Sequence, residues 1–309
     1  MGVPYLYYYY FKKFNREKEL VTSLDEINNI DCLFFDFNSL VHPVVHTVLD
    51  KTDSNIIKEC INYTRLIINI VNPKDIFIMI DGVAPRGKMN QQRERRYKSK
   101  FFKDIEEKDM SWDTNQITPG TEFMEKLSIE LKKEFKNVSD SNEPGEGEHK
   151  IMKYLKTIQN KKVAIYGLDG DLIILSLLNN FNDIVLIRDS EFGDLSTINN
   201  LNINILKELM YKDFLENHSG YSLSKDQFIN DYIFLTFLLG NDFIERLFCL
   251  SIKNNGIDIL LRAYFNSYNG NPLVNKETLF EECVDLYILK NIFYNLKNYE
   301  NKYLKNHRT

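Results

Sequence analysis

The chain has 309 residues, of which 43% are hydrophobic and 27% are charged, a composition that allows a buried core and excludes a disordered or fibrous protein. Its net charge of −5, taken alone, argues against a non-specific nucleic-acid-binding protein, which would usually be basic. The four cysteines form no CxxC pair, the N-terminus lacks a signal-peptide pattern, and no apolar run reaches about 18 residues, so we expect a cytoplasmic protein without a zinc site, a disulfide framework or a membrane span.

Strand and helix patterns alternate along most of the chain. The tyrosine run at 5–10 predicts a helix buried on every side. Runs of branched and aromatic residues predict four buried strands: Cys32–Phe37, Ile76–Asp81, Val163–Gly167 and Ile184–Arg188. Helical patterns lie between them, including Asn55–Ile70 and Glu122–Lys136, and the pattern is helical beyond about residue 200. The alternation predicts an α/β fold with a largely parallel central sheet flanked by helices, followed by a helical C-terminal part.

Three of the predicted strands carry or lead into aspartates at their carboxyl ends. These positions are Asp36, Asp81 and the pair Asp169 and Asp171. Taken singly, each aspartate is explained equally well as a turn or helix-cap residue. In parallel sheets, however, sites form beyond the carboxyl ends of the strands, and like charges gathered there repel unless a cation neutralises them. Carboxylate oxygens are ligands that suit Mg²⁺ or Mn²⁺.

Three further acidic residues occur where turns are predicted. Glu146 and Glu148 stand at the start of a predicted helix, where the helix dipole alone favours acids by roughly 0.3–1 kcal/mol. Asp242 lies in a Gly-Asn-Asp turn within an apolar stretch and could equally cap a helix. If these acids face the strand-end aspartates, the set predicts phosphodiester hydrolysis with two cations roughly 3.5–4 Å apart.

The segment 86–100 carries seven basic residues and one acid, Glu94. It has a helical pattern from about residue 88, and one face of that helix collects four polar residues: Lys88, Gln92, Arg95 and Arg96. A charge run is usually a solvated surface helix. Here the scarcity of acids for pairing favours the alternative, a site for a terminal phosphate.

The sequence resembles the N-terminal catalytic region of the Xrn family of 5′→3′ exoribonucleases. The matching segments are MGVP, FDFNSLVHPVVH, IDGVAPRGKMNQQRERRYKS, WDTNQITPGTEFM, PGEGEHKIMKYL, YGLDGDLIILSLL and LLGNDF. They occur in the family's order from residue 1 to about 245. The resemblance implies an Xrn-type nuclease core over 1–245, with 246–309 as a helical C-terminal extension packed on it, and a fold related to PIN-like nucleases and flap endonucleases.

The resemblance also implies an activity and a set of site residues. The family's acidic, metal-binding set falls on Asp36, Asp81, Glu146, Glu148, Asp169, Asp171 and Asp242. Its 5′-monophosphate pocket falls on Lys88, Gln92, Arg95 and Arg96, and His42 corresponds to the histidine that stacks on the first base. The expected reaction is degradation of 5′-monophosphorylated single-stranded RNA to nucleoside 5′-monophosphates with Mg²⁺ or Mn²⁺. A decapping or other RNA-processing protein is a candidate partner, whose identity the sequence does not give.

Two alternatives share part of this pattern. A structure-specific 5′ nuclease acting on DNA flaps would use the same carboxylates, and MNQQRERR is the segment that argues against it. A non-catalytic RNA-binding module would need no acids, and the intact acidic set argues against that reading.

Overall fold

The computed structural model of the chain describes residues 3, 5–15, 19–23, 27–105, 112–189, 198–218, 220–275 and 283–306. The chain divides into two units, a larger one of residues 18–203 and a smaller one that joins residues 1–17 to residues 204–309. The boundary that we predict after residue 245 falls within the smaller unit, and it stays a prediction.

The larger unit is built on one mixed sheet. In chain order its strands are β1 Val21–Ser23, β2 Cys32–Asp36, β3 Asp75–Met79, β4 Val138–Ser139, β5 Lys162–Tyr166, β6 Asp183–Asp189 and β7 Ile198–Asn202. Their order across the sheet is β1-β7-β6-β5-β2-β3-β4. The five strands from β6 to β4 are parallel to one another, whereas β7 runs antiparallel to both of its neighbours, β6 and β1. The prediction of a largely parallel sheet and of its four buried strands is confirmed.

The described residues form eleven α-helices. They are α1 Leu6–Phe14, α2 Asn38–Thr47, α3 Asp53–Val71, α4 Arg86–Ile105, α5 Glu122–Glu134, α6 Gly147–Leu155, α7 Gly170–Leu177, α8 Ile203–Asn217, α9 Lys225–Phe237, α10 Gly256–Phe265 and α11 Leu286–Asn306. Polar side chains cap the N-termini of some of these helices. The Thr52 hydroxyl accepts a hydrogen bond from the Asn55 N–H at 3.3 Å at the start of α3, and Ser224 forms a capping box with Gln227 at the start of α9.

Helices cover both faces of the sheet in the larger unit. Successive residues of β2 point to opposite faces, and both of its phenylalanines are fully buried. Phe34 packs against Tyr154 of α6, with ring centroids 5.5 Å apart. Phe35 joins the apolar cluster that includes residues of α2, α3 and α5. The central strand is therefore apolar on both sides until its last residue, which is an aspartate.

The smaller unit is helical, as we predict for the region beyond residue 200. Its helices are α1, nearly all of α8, and α9 to α11. The prediction that the tyrosine run is buried on every side is wrong, because Tyr10 is fully buried while the Tyr8 side chain is 61% exposed. A helix that packs on a core from one side exposes the opposite face. No helix among the described residues is both long and apolar enough to span a membrane.

Candidate active site

Asp36 and Asp81 lie at the same edge of the sheet. Asp36 is the last residue of β2 and Asp81 follows the end of β3, its parallel neighbour. The Ser39 hydroxyl donates to Asp36 Oδ2 at 2.7 Å, and the Asp81 N–H donates to Asn38 Oδ1 at 3.1 Å. The first turn of α2 therefore orients the ends of both strands.

The start of α6 brings two glutamates to this edge. Glu146 is the N-cap residue of α6, but its side chain makes no capping hydrogen bond. Asp81 caps the helix instead, since its Oδ1 accepts a hydrogen bond from the Gly147 N–H at 2.6 Å. Lys150 holds the helix to the end of β3, because its Nζ donates to the Ile80 carbonyl at 2.7 Å. Glu146 and Glu148 are both buried.

The third pair of acids follows β5. Asp169 is the N-cap residue of α7 and Asp171 lies in its first turn. The charge of Asp169 contributes to raising the pKa of Asp36, and that of Asp171 contributes to raising the pKa of Glu148. Six of the seven predicted acids therefore gather at one place in the larger unit.

Burial and mutual repulsion disfavour the charged forms of these acids. Burial, followed by the charge of Asp81, raises the pKa of Asp36 well above its usual value. Burial also raises the pKa of Asp81, although its hydrogen bond from Gly147 acts in the opposite direction. Burial and then the charges of Asp36 and Asp171 raise the pKa of Glu148 to about 9. A cation among these carboxylates would remove the repulsion.

The donor set fits a divalent cation. Glu146 Oε2 is buried and has no hydrogen-bond partner among the described residues. Glu146, Glu148 and His149 each offer one ligand atom, and these atoms lie within 4.8 Å of one another. Carboxylate oxygens suit hard cations such as Mg²⁺ and Mn²⁺. A buried carboxylate oxygen without a donor is an expected feature of a cation site.

The polar face of α4 divides into two parts. Lys88 is only 7% exposed, and its Nζ lies 3.0 Å from Glu146 Oε1, so it contacts the acidic cluster. Gln92, Arg95 and Arg96 line a cavity of about 360 Å³. Asp81 lines the same cavity, which therefore joins the basic face to the carboxylates.

The other walls of this cavity come from α2 and from the segment 114–119. His42, on α2, is exposed and lines the cavity. Partial desolvation and then the charge of Arg95 lower the pKa of His42, which favours a neutral ring. Ile117 and Pro119 add apolar surface, and Arg96 donates to the Thr118 hydroxyl at 3.5 Å. A cavity with guanidinium groups, a ring and apolar surface can hold a phosphorylated nucleoside.

Asp242 is the predicted acid that lies outside the larger unit. It stands in a turn after α9 in the smaller unit. Asn241 shapes that turn, because its Oδ1 accepts from the N–H groups of Phe243 and Ile244, both at 2.8 Å. The place of Asp242 in the acidic set stays a prediction.

Four residues that support the site are not among the predicted ones: Asn38, Ser39, Gly147 and Lys150. Position 147 requires glycine because the start of α6 lies very close to the ends of β2 and β3. A Cβ atom there would lie 2.7 Å from Asp36 Oδ1 and 2.8 Å from the Met79 carbonyl oxygen. The glycine between two glutamates in PGEGEHK was the available signal for such an approach. Asn38 and Lys150 act through hydrogen bonds to distant segments, which a sequence pattern does not indicate. Ser39 bonds to Asp36, only three residues away.

Two family models match the chain. The model described as "XRN 5'-3' exonuclease N-terminus" matches residues 1–190, and the model described as "Xrn1 helical domain" matches residues 222–308. Among curated proteins, 5'-3' exoribonuclease 2 of Saccharomyces cerevisiae is 31% identical over 306 residues, and the match covers 75% of this chain. The human 5'-3' exoribonuclease 1 is 32% identical over 315 residues, covering 85% of this chain.

The chain spans about 30% of the length of the yeast relative and 18% of the human one. Solved structures with a similar fold include the catalytic core of Rad2 in complex with DNA substrate, with a TM-score of 0.48 and 13% identity, covering 90% of this chain and 74% of that one. The T5 D15 protein co-crystallized with metal ions has a TM-score of 0.47 and 13% identity, covering 89% and 97% of the respective chains.

Proposed function

This chain belongs to the XRN 5′–3′ exonuclease family, and on that premise we propose that it is a metal-dependent exoribonuclease that shortens single-stranded RNA from a 5′-monophosphate end. The observation that carries the proposal is the cavity that Asp81 shares with Gln92, Arg95 and Arg96. A terminal phosphate held by the basic side chains would leave the following phosphodiester beside the carboxylates. The products would be nucleoside 5′-monophosphates.

The basic side chains give the proposed site its preference for the 5′ end. Arg95 and Arg96 offer forked N–H donors that match phosphate oxygens, and the Gln92 amide adds a neutral donor. We assign His42 to stacking on the first base, which its place in the cavity wall supports. Lys88, held against Glu146, would add positive charge at the inner end of the pocket. A pocket of this size would exclude a capped end.

The acidic cluster is proposed to hold Mg²⁺ or Mn²⁺, and two ions would match the number of carboxylates. The ligands would come from six predicted acids of the larger unit: Asp36, Asp81, Glu146, Glu148, Asp169 and Asp171. The assignment of Asp242 as a further ligand is a prediction from the sequence alone. When bound, divalent cations lower the pKa of a coordinated water and stabilise the charge that develops on the leaving oxygen. Glu146 Oε2, which is buried and accepts no hydrogen bond from the described residues, and the raised pKa values of Asp36 and Glu148 support this assignment.

The chain's own groups prepare this chemistry. The Ser39 hydroxyl fixes one oxygen of Asp36, and the Gly147 N–H fixes one oxygen of Asp81. Each aspartate therefore keeps its second oxygen in a defined direction. Lys150 holds the start of α6 in place by its hydrogen bond to the Ile80 carbonyl. Such supporting contacts reduce the reorganisation that the site would need during reaction.

The wider role is also a proposal. We infer that residues 1–245 form the nuclease core and 246–309 its helical extension, and that the chain acts in mRNA decay in the cytoplasm beside a decapping or other RNA-processing partner. Cys32, Cys60 and Cys249 are buried thiols, which supports a reducing compartment. Fluorescence microscopy of the tagged full chain tests the location.

One assay tests the activity. The full chain is incubated with Mg²⁺ and matched single-stranded RNAs that carry a 5′-monophosphate, a 5′-hydroxyl or a cap, and the products are sized. Fast release of mononucleotides from the first RNA alone supports the proposal, whereas equal rates on all three contradict the phosphate pocket.

The D169A/D171A variant should lose the ability to degrade RNA but keep RNA binding, and the exposed control Asp226→Ala should match the wild type. Cleavage of a DNA flap alone would identify a flap nuclease, and binding without cleavage a non-catalytic module.

A further inference from the structure

The side of α4 that faces away from the cavity is basic and aromatic. Tyr97 lies nine residues after Lys88, about two and a half turns at 3.6 residues per turn, so the two side chains point in opposite directions. We call this side the outer face, and it is formed by Arg86, Met89, Asn90, Arg93, Tyr97, Lys100 and Phe101. All seven residues are exposed, so the outer face meets solvent along four turns.

Two large aromatic side chains dominate the outer face. Tyr97 is 71% exposed and Phe101 is 50% exposed. Their rings lie one helical turn apart, with centroids 6.3 Å apart and an angle of 16° between the planes. Exposed aromatic rings cost free energy in water, and nearly parallel rings offer faces on which flat groups can stack.

Positive charge flanks the rings on the same face. Arg93 lies one turn before Tyr97, and Lys100 lies beside Phe101. Neither forms an ion pair among the described side chains, whereas Lys98, on the flank of α4, lies 3.8 Å from Glu94. In a chain with a net charge of −5, an outer face with three basic residues is a local exception. The basic residues and the two rings together would suit a partner that is anionic and also carries flat groups.

We propose that the outer face of α4 is a second binding surface for single-stranded RNA, which holds the part of the substrate that lies 3′ of the cavity. Bases stack on Tyr97 and Phe101, and backbone phosphates contact Arg93 and Lys100. Rings interleaved with positive charge bind single strands without sequence preference, because every base has a flat face. An acidic protein segment would match the charges but leave the two rings uncovered.

The geometry implies a dependence on RNA length. An RNA with its 5′ end in the cavity must pass around α4, whose diameter with side chains is about 10–12 Å, to reach the outer face. A 5′-phosphorylated dinucleotide is too short for this, whereas a long RNA can occupy the cavity and the outer face together. This reading rests on the proposed function, because its occupant is that enzyme's substrate.

The test compares two double variants of the full chain. Y97A/F101A removes the rings of the outer face, and Y287A/Y294A removes two tyrosines of α11 that are 65% and 72% exposed. Affinity is measured by fluorescence anisotropy in EDTA with a long 5′-hydroxyl RNA, which needs neither cleavage nor the phosphate pocket. We expect Y97A/F101A to weaken binding at least about tenfold, and the control to bind as the wild type does. The R93A/K100A variant should weaken binding and flatten its salt dependence.

The outcomes separate this proposal from the proposed function. If the wild type cleaves no RNA, the proposed function fails, and the anisotropy measurement still decides the outer face. With an active enzyme, the preference of Y97A/F101A for a long 5′-phosphorylated RNA over the dinucleotide, measured as a ratio of kcat/KM values, should fall about tenfold. Unchanged affinity in Y97A/F101A, or an equal loss in the α11 control, overturns the proposal. Polyglutamate binding that is lost in Y97A/F101A while RNA binding persists would assign the face to an acidic protein instead.

Discussion

Lys88 Nζ lies 3.0 Å from Glu146 Oε1, and their side chains are only 9% and 8% exposed. This ion pair joins the basic helix to the acidic cluster, so one contact belongs to both halves of the proposed site. Buried pairs are strongly destabilising when one partner is removed, because the other charge stays in a poorly solvated place.

The first prediction concerns the stability of this pair in EDTA. Lys88→Met should lower the free energy of unfolding by about 3–5 kcal/mol, because an unpaired carboxylate stays among other acids. Glu146→Gln should lower the free energy of unfolding by less, since the acidic groups of Asp81 and Glu148 stay near Lys88 and its charge favours their ionisation. Urea unfolding of both variants measures the difference. The exposed pair of Glu94 and Lys98 is the control, and equal costs for the two buried substitutions would contradict the prediction.

The second prediction concerns pH. Because the pKa of Glu148 rises from 4.5 to about 9 on folding, this carboxyl stabilises the metal-free fold fully below pH 4.5, and the contribution is lost as pH rises through about 9. Glu148→Gln should therefore flatten the fall in melting temperature across that window in EDTA. The exposed Glu216→Gln variant should keep the slope of the wild type. A slope unaffected by Glu148→Gln would show that this carboxyl does not titrate as its surroundings indicate.

The third prediction concerns the same window with metal present. A cation binds the ionised carboxylates, so binding releases protons and strengthens as pH rises. Added Mg²⁺ should raise the melting temperature more near pH 9 than below pH 4.5, and the increase should shrink in Asp36→Asn. Differential scanning fluorimetry measures both effects. An Mg²⁺ effect of equal size at both ends of the window would count against the carboxylate cluster as the binding site.

The fourth prediction concerns Gly147. A methyl group at this position would lie 2.7 Å from Asp36 Oδ1 and 2.8 Å from the Met79 carbonyl oxygen, so α6 must move away from the sheet. Gly147→Ala should cost about 1–3 kcal/mol of stability and most of the activity, since Glu146 and Glu148 would move with the helix. Gly220→Ala, which meets no atom within 4 Å, is the matched control. An active and fully stable Gly147→Ala variant would contradict this account.

The fifth prediction concerns the basic cavity. Q92A/R95A should raise the KM for 5′-monophosphorylated RNA at least about tenfold, because charge-assisted bonds to phosphate are lost. The KM for 5′-hydroxyl RNA should change much less, so the preference between the two ends falls. Lys98→Ala, on the flank of the same helix, should keep that preference. An equal rise in KM for both RNAs would indicate that the phosphate-binding site lies elsewhere.

The sheet was predictable where its strands are apolar on both sides. The runs around Phe34 and Ile165 are buried in the centre of the sheet, and their continuous apolar pattern therefore predicts strands. The strands β1, β4 and β7 were not predicted, because they are short or polar and depend on pairing with residues distant in sequence. A hydrophobic pattern indicates burial, whereas short or polar strands at or next to a sheet edge depend largely on backbone hydrogen bonds.

The sequence allowed most residues of the candidate site to be predicted, but not the contacts between them. The strand-end aspartates could be named because carboxyl ends of parallel strands share an edge. The helical pattern placed Lys88 on the face of Arg95, but it could not indicate that α6 covers one end of that face. Likewise, the hydrogen bond from the Gly147 N–H to Asp81 joins residues 66 positions apart, a relation that no local pattern contains.

The position of β2 in the middle of the sheet has a consequence for how the protein forms. β2 pairs with β3 on one side and with β5 on the other, and the contact that leads into the second pairing, from the Lys162 N–H to Asp31, spans 131 residues. A growing chain therefore emerges from the ribosome with one edge of this fully buried strand uncovered until β5 has been made. Such non-local pairing slows folding and leaves a strand edge open to aggregation. The interval of synthesis between β3 and β5 is where this protein would depend most on chaperones.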